Sequence, residues 1–315
     1  MAGSTGVVLA ALFANGAITV LKFVGFLLTG SPSMLSETYH SLSDTGNQVF
    51  LLLGIRYSGK EASRGHPFGY GKAQFFYAFL VSVLLFGIAG WESLKQGYEA
   101  IQHAGHTEIG TFTVPVVGGT YETFWLNVVI LLGAIAFESY AFAKASKELH
   151  RQMDEFGWES IPEAFRRTSD VTTLTAFTED AIALGGAAIA LVGITLTRIT
   201  GDGIYDAVAA GIIGLLLMGF AVALAWENKR LLLGESLPRT DERELHDIIA
   251  DHPGVTHVDS FRSVFFGPQR ALVAAEVSFD PDLVTGDIDE DIAEIEAKLK
   301  EGDSRVELIY IEPEL

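Results

Sequence analysis

The sequence predicts an α-helical membrane bundle of six transmembrane helices carrying a C-terminal cytoplasmic α+β domain of order αββαβ, ferredoxin-like. Three observations predict it. The mean hydropathy is positive at +0.32 although the formal net charge is -19, so the charge is concentrated in some segments and nearly absent from others. Only 19% of the 315 residues are charged, below the usual ~25%. And 315 residues exceed what one compact soluble core comfortably holds.

The apolar segments come first along the chain. A bilayer crossing needs roughly 17–25 residues, and six stretches qualify. They are Gly6–Gly30, Met34–Arg56, Phe75–Tyr98, Phe124–Ala143, Thr172–Leu196 and Ile204–Trp226. Any one of them reads equally as a buried core helix; six together read as spans. Lys and Arg fall in the loops between spans two and three (Arg56, Lys60, Arg64, Lys72) and between four and five (Lys144, Lys147, Arg151, Arg166, Arg167), and Lys229 and Arg230 follow span six. The loop from His103 to Glu122 has neither. The positive-inside rule then puts both termini in the cytoplasm of a multi-pass protein, expected in the cell membrane. Met1–Gly6 lacks the basic region of a signal peptide, so span one is expected to be retained.

The transport domain is expected to cover 1–236 and the cytoplasmic domain 237–315. In the tail, Asp241–Asp251 has helical spacing, and Val255–Phe265 and Ala271–Phe279 alternate like paired strands around Gly267–Pro268. Asp287–Lys300 carries Ile288, Ile292, Ile295 and Leu299 on one stripe, and Arg305–Ile311 alternates again. That order suits a two-layer α+β domain.

Composition excludes several functions. With no Cys there are no disulfides, Cys zinc sites or thiol catalysis. The acidic balance argues against nucleic acid as a partner. No HExxH or Ser/His/Asp arrangement is present, so an enzyme is not expected.

Ionisable groups inside spans are costly and face a polar interior. In span two, His40, Asp44 and Asn47 stand at i, i+4 and i+7 on one helix face. Imidazole with carboxylate suits a borderline divalent cation such as zinc, cobalt or manganese; it suits equally a His–Asp hydrogen bond that fixes packing. Span five supplies Glu179 and Asp180, whose directions differ by ~100°, so at most one aims squarely at a shared site. Glu138 and Asp206, each isolated in its span, suit packing or helix-end roles, and Lys22 suits a counter-charge or a snorkelling group.

The motif HSLSDTGNQ in span two, the loop HPFGYGKAQ after it and the acidic αββαβ tail together resemble the cation diffusion facilitator family. SETYHSLSDTGNQ and TAFTEDAIALGGAAIALVGI resemble its zinc transporter nine-like branch in particular. The resemblance runs from about Ala14 to Glu312. It implies a homodimer of six-span protomers in the lipid bilayer, each exporting a divalent cation in exchange for protons. The alternative is a non-transporting metal-sensing or scaffold protein on the same fold.

By the resemblance, His40, Asp44 and Asp180 are the metal ligands. Ala176 stands where the family places a fourth, leaving that contact to Asn47, Glu179 or water. Such harder donors would favour manganese, cobalt or iron(II) relative to zinc, the family's default cargo. His66 matches a peripheral metal position, with Tyr70 where a second His is common. Lys72 matches a basic residue that joins spans across the dimer, with Glu235 near its acidic partner. Asp259 and Glu312 fall near metal positions of the tail, where Tyr310 replaces a ligand.

Overall fold

The computed structural model describes residues 2–103, 111–113, 120–168 and 171–314. The chain divides into two compact units: 1–54, 77–161 and 172–227 in the first; 55–76, 162–171 and 228–315 in the second.

The long helices are α1 (Ala2–Thr29), α2 (Pro32–Ser58), α3 (Ala73–Leu84) continued through a π-helical turn at Leu85–Gly90 into α4 (Trp91–Gln102), α5 (Thr123–Phe156), α7 (Val171–Thr200) and α8 (Ile204–Leu233). Among the described residues, four segments are long and apolar enough to cross a membrane: Ala73–Gln102, Thr123–Phe156, Thr173–Thr200 and Ile204–Leu233. In α1 the apolar helix is the shorter Asn15–Thr29. α2 has the length, 27 residues, but Glu37, His40, Asp44, Asn47 and Gln48 lower its hydropathy. Its polar groups turn inward: most residues from Ser33 to Ser41 are buried.

The first unit packs Met34, Val81, Leu85, Ala187, Ile213 and Leu217 into one apolar core. Small residues set the closest approach. A Cβ on Gly97 would stand 2.5 Å from the Gly211 nitrogen, and one on Gly214 2.5 Å from the Leu94 nitrogen, so α4 and α8 touch backbone to backbone. This is the small-residue packing of membrane helices, where dispersion rather than water exclusion drives association. Gly90, ending the π-turn, faces Met218 in the same seam. Neither the π-turn nor the short helix α6 (Ile161–Arg167) has a signature in the hydropathy pattern. In the loop without Lys or Arg, β1 (Thr111–Thr113) pairs antiparallel with β2 (Thr120–Glu122); the loop's other residues up to Gly119 lie outside the described ones, apart from His103.

The tail follows the expected order with longer elements: α9 (Arg239–Ala250), β3 (Val255–Gly267), β4 (Arg270–Phe279), α10 (Thr285–Gly302) and β5 (Val306–Glu314). β3 and β4 form a hairpin whose loop is Pro268–Gln269, and Gln269 takes a positive φ of 55°. β5 lies parallel to β4 (Ala271 opposite Val306) after the α10 crossover, giving the sheet order β3-β4-β5. β4 alternates strictly, with Ala271, Val273, Ala275, Val277 and Phe279 buried. Leu245 and Ile249 of α9 and Ile288, Ile295 and Leu299 of α10 are the buried helix residues of the two-layer domain.

Candidate metal centre

α2 begins after Gly30, whose φ of 67° makes the turn from α1. Ser31 stands at its start: the Met34 N–H donates to the Ser31 hydroxyl at 3.2 Å, and Ser31 donates to the Asp206 carboxylate at 2.6 Å. Asp206 lies in the first turn of α8, where a carboxylate is favoured by the helix dipole. That is the helix-end role its sequence position suggested.

Further along the same helix, one turn apart, His40 and Asp44 face the interior, 1% and 7% exposed. His40 Nδ1 and Asp44 Oδ1 are 3.6 Å apart, beyond hydrogen-bond reach. Among the described residues, neither ring nitrogen of His40 has a hydrogen-bond partner, and nor has Asp44 Oδ1. Buried polar atoms without partners are uncommon and costly. The reading of this pair as a packing hydrogen bond therefore fails on distance, while two orphaned donor atoms facing one another suit a cation.

The next turn holds Asn47, whose amide donates to Glu179 on α7. Glu179 and Asp180 are both half-buried. Asp44 lies in the electrostatic field of Glu179, Glu138, Lys22 and Asp180. Glu138, isolated in its own span by sequence, is thus a neighbour of the centre: helix packing brings together residues that are a hundred positions apart. Among the described residues no three His, Asp or Glu side chains converge closely enough to hold a metal ion. His40 and Asp44 form a two-donor start, Glu179 is tethered to Asn47, and Ala176 is half-buried with no donor to offer.

Lys22 proves to be a counter-charge and does not snorkel. Its ammonium donates to Glu37 at 2.7 Å, with both side chains fully buried. Glu37 stands in the span-two motif, but no role follows from its sequence position alone. The signal was available: a Lys in one span demands an acid in another.

The remaining positions sit outside this layer. His66 stacks on Tyr70 with ring centroids 4.2 Å apart, and Tyr70 meets Tyr57 edge-on at 5.6 Å, so the Tyr that replaces a second His packs against the first. Lys72 Nζ donates to the Leu232 carbonyl at 3.4 Å. Glu235 pairs with Arg230 at 3.1 Å rather than with Lys72; burial raises its carboxyl pKa against the opposing pull of Arg230. Asp259 accepts from Ser278 at 2.7 Å, and Glu312 is exposed on β5, in register with Glu276.

The cation efflux transmembrane domain family matches residues 8–233. The chain belongs to the cation efflux family. Among its relatives, the human protein described as proton-coupled zinc antiporter SLC30A9, mitochondrial, is 29% identical over 283 residues, 90% of this chain and 47% of that one. Metal tolerance protein C4 of Arabidopsis thaliana is 24% identical over 274 residues, 87% of this chain and 57% of that one. The cation-efflux pump FieF of Escherichia coli O127:H6 is 27% identical over 255 residues, 81% and 74% of the two chains. The chain spans about half the length of the first of these relatives. Among solved structures, a nickel form of the MamM CTD matches 24% of this chain and 96% of its own at 18% identity, with a TM-score of 0.23. The zinc transporter nine-like resemblance is shown by the first relative and the cation efflux fold by the family match.

Proposed function

We propose that this cation efflux protein is a divalent metal exporter working by proton-coupled antiport with alternating access, with zinc as cargo and manganese, cobalt or iron(II) as competing cargoes. The observation that carries this reading is the buried pair of His40 and Asp44, whose facing donor atoms have no hydrogen-bond partner among the described residues. Asp180 completes a three-donor set when α2 and α7 close, and Asn47 or Glu179 supplies a further oxygen. The human relative, a protein described as a proton-coupled zinc antiporter, supports proton coupling and zinc. The neutral imidazole that binds a cation is the same group that takes a proton when the cation leaves, so the two compete. A homodimer, the cell membrane, and both termini in the cytoplasm complete the proposal, with the domain boundary near 236 and 237.

The absence of a ready three-donor cage favours one alternative, a metal-sensing or scaffold protein that does not transport. Flux into proteoliposomes separates the two across a panel of zinc, manganese, cobalt and iron(II), with and without a pH gradient. Uptake driven by the gradient is expected. Metal binding without flux for any member of the panel would establish the sensor instead. In the same assay Asp180→Asn is expected to reduce flux more than Glu179→Gln, and the reverse ranking would assign the ligand to Glu179.

A further inference from the structure

α2 and α7 run antiparallel through the first unit: Glu37 lies against Gly186, and Asn47 bonds Glu179. Burial along α2 is uneven. Ser33, Ser36 and Glu37 are fully buried and His40 and Ser41 nearly so, whereas Leu42 is 54% exposed and Ser43, Thr45 and Gly46 are half-buried. The His40–Asp44 pair sits at the boundary between a sealed half, toward the α1–α2 turn, and a looser half.

The Lys22–Glu37 pair stands in the sealed half. Glu37 precedes His40 by three residues, a rise of about 4.5 Å. Glu37 Oε2 takes the Lys22 ammonium; its Oε1 has no partner and abuts Gly186, where any Cβ would overlap the carboxylate. Three helices therefore meet in one layer: Lys22 from α1, Glu37 from α2 and Gly186 from α7. An apolar layer would seal the same space without desolvating two charges, so stability alone does not call for an ion pair here. What an ion pair adds is a closure that opens by parting, each charge then requiring water. Lys22 also projects its positive charge onto His40, Asp44 and Glu138, so a cation leaving by this side meets a fixed positive charge while the pair is in place.

We propose that Lys22 and Glu37 form the gate on the α1–α2-turn side of the metal centre, closed while paired and open when the two part and hydrate. The role rests on the transport reading above, but its test does not need transport. The chain has no Cys, so a single introduced thiol reports alone. Ser36→Cys places it in the gate layer at a hydroxyl that is buried and unbonded, and Ser43→Cys places one on the other side of His40. Each is introduced into the full chain in lipid nanodiscs and labelled with a charged maleimide. In the Lys22→Met background, which leaves the Glu37 carboxylate without its cation and in need of water, labelling at position 36 is expected to quicken by about tenfold or more, with no rise at position 43. Glu37→Asp, which shortens the reach to Lys22 but keeps both charges, is expected to quicken it less, and serves if Lys22→Met does not fold. Unchanged labelling at 36, or an equal rise at 36 and 43, would overturn the gate. A chain that labels as expected yet moves no metal would overturn the transport reading alone.

Discussion

The α2 layer and the C-terminal sheet domain both contain buried ionisable side chains, and they treat them in opposite ways. In the tail, Arg305 is 5% exposed, and its guanidinium reaches Asp303 at 2.6 Å and Asp241 at 2.5 Å. Burial disfavours its charge, but the hydrogen bonds it donates to both carboxylates, together with their charges, outweigh that and raise its pKa. In α2, the His40 nitrogens and Asp44 Oδ1 are just as enclosed and have no hydrogen-bond partner among the described residues. The first arrangement is a finished network that holds β5 to α9. The second is unfinished, which is what a site requires if its missing partner is a cargo that arrives and leaves.

The comparison breaks most sharply by mutation of the unfinished side. Asp44→Ala and His40→Ala are each expected to abolish metal flux in proteoliposomes while leaving insertion and thermal stability near the parent's. Removal of an unpaired buried acid relieves a desolvation cost instead of breaking a bond. Flux near the parent's in either variant would show that these orphaned atoms are not the cation's ligands.

The finished side is expected to behave in reverse. Arg305→Met leaves Asp303 and Asp241 facing each other without their cation, and removing one partner of a buried pair costs about 3 kcal/mol. Chemical denaturation of the full chain, read from the tail's β-signal, is expected to show that loss with metal affinity unchanged. A fall in affinity matching the fall in stability would mean that the tail shapes the centre.

The contrast also separates what was legible in the sequence from what was not. Hydropathy and period-two alternation are local, so the spans, β3, β4 and the α10 stripe follow from a few residues each. His40, Asp44 and Asn47 share a face by spacing within one helix, which is again local. Lys22 with Glu37, Asn47 with Glu179, and Glu138 beside the centre depend on which helices pack together, which spacing within one helix does not disclose. The parallel pairing of β5 with β4 and the π-turn at Leu85–Gly90 are tertiary in the same sense: backbone geometry is set there by the neighbouring element. Lys22 alone carried a usable hint, since a buried Lys announces an absent acid.

Salt sharpens the comparison more gently. Asp280, Asp282, Asp287, Asp289 and Glu290 are all exposed, as are Glu244 and Asp247 on α9 and Asp251 just past its end. The Debye length falls to ~3 Å at 1 M salt, so molar potassium chloride screens their mutual repulsion. The tail is expected to gain on the order of 1 kcal/mol, read as a rise of several degrees in its melting with a chelator present. Rescue by micromolar zinc in dilute buffer, with no response to salt, would indicate that metal binding stabilises the tail.

The smallest effect is expected at Arg270 and Glu307, which join β4 to β5 by a two-pronged ion pair, one prong 2.7 Å long. The hydrogen bond from Arg270 holds the Glu307 carboxyl below its ordinary pKa, ahead of the small opposing effect of burial. A lowered folded-state pKa contributes stability that is fully present above the unfolded value of about 4.3 and is lost as pH falls through the folded one. Glu307 is 48% exposed on its side chain, so solvent screening reduces the contribution to about 0.5 kcal/mol. Glu307→Gln is therefore expected to cost that much at pH 7 and progressively less as the pH drops below 4. Urea titrations of parent and variant at pH 7, 5 and 3.5 measure the gap. A gap that widens toward acid would mean that Glu307 is held in its protonated form, and that the β4–β5 pairing draws nothing from this charge.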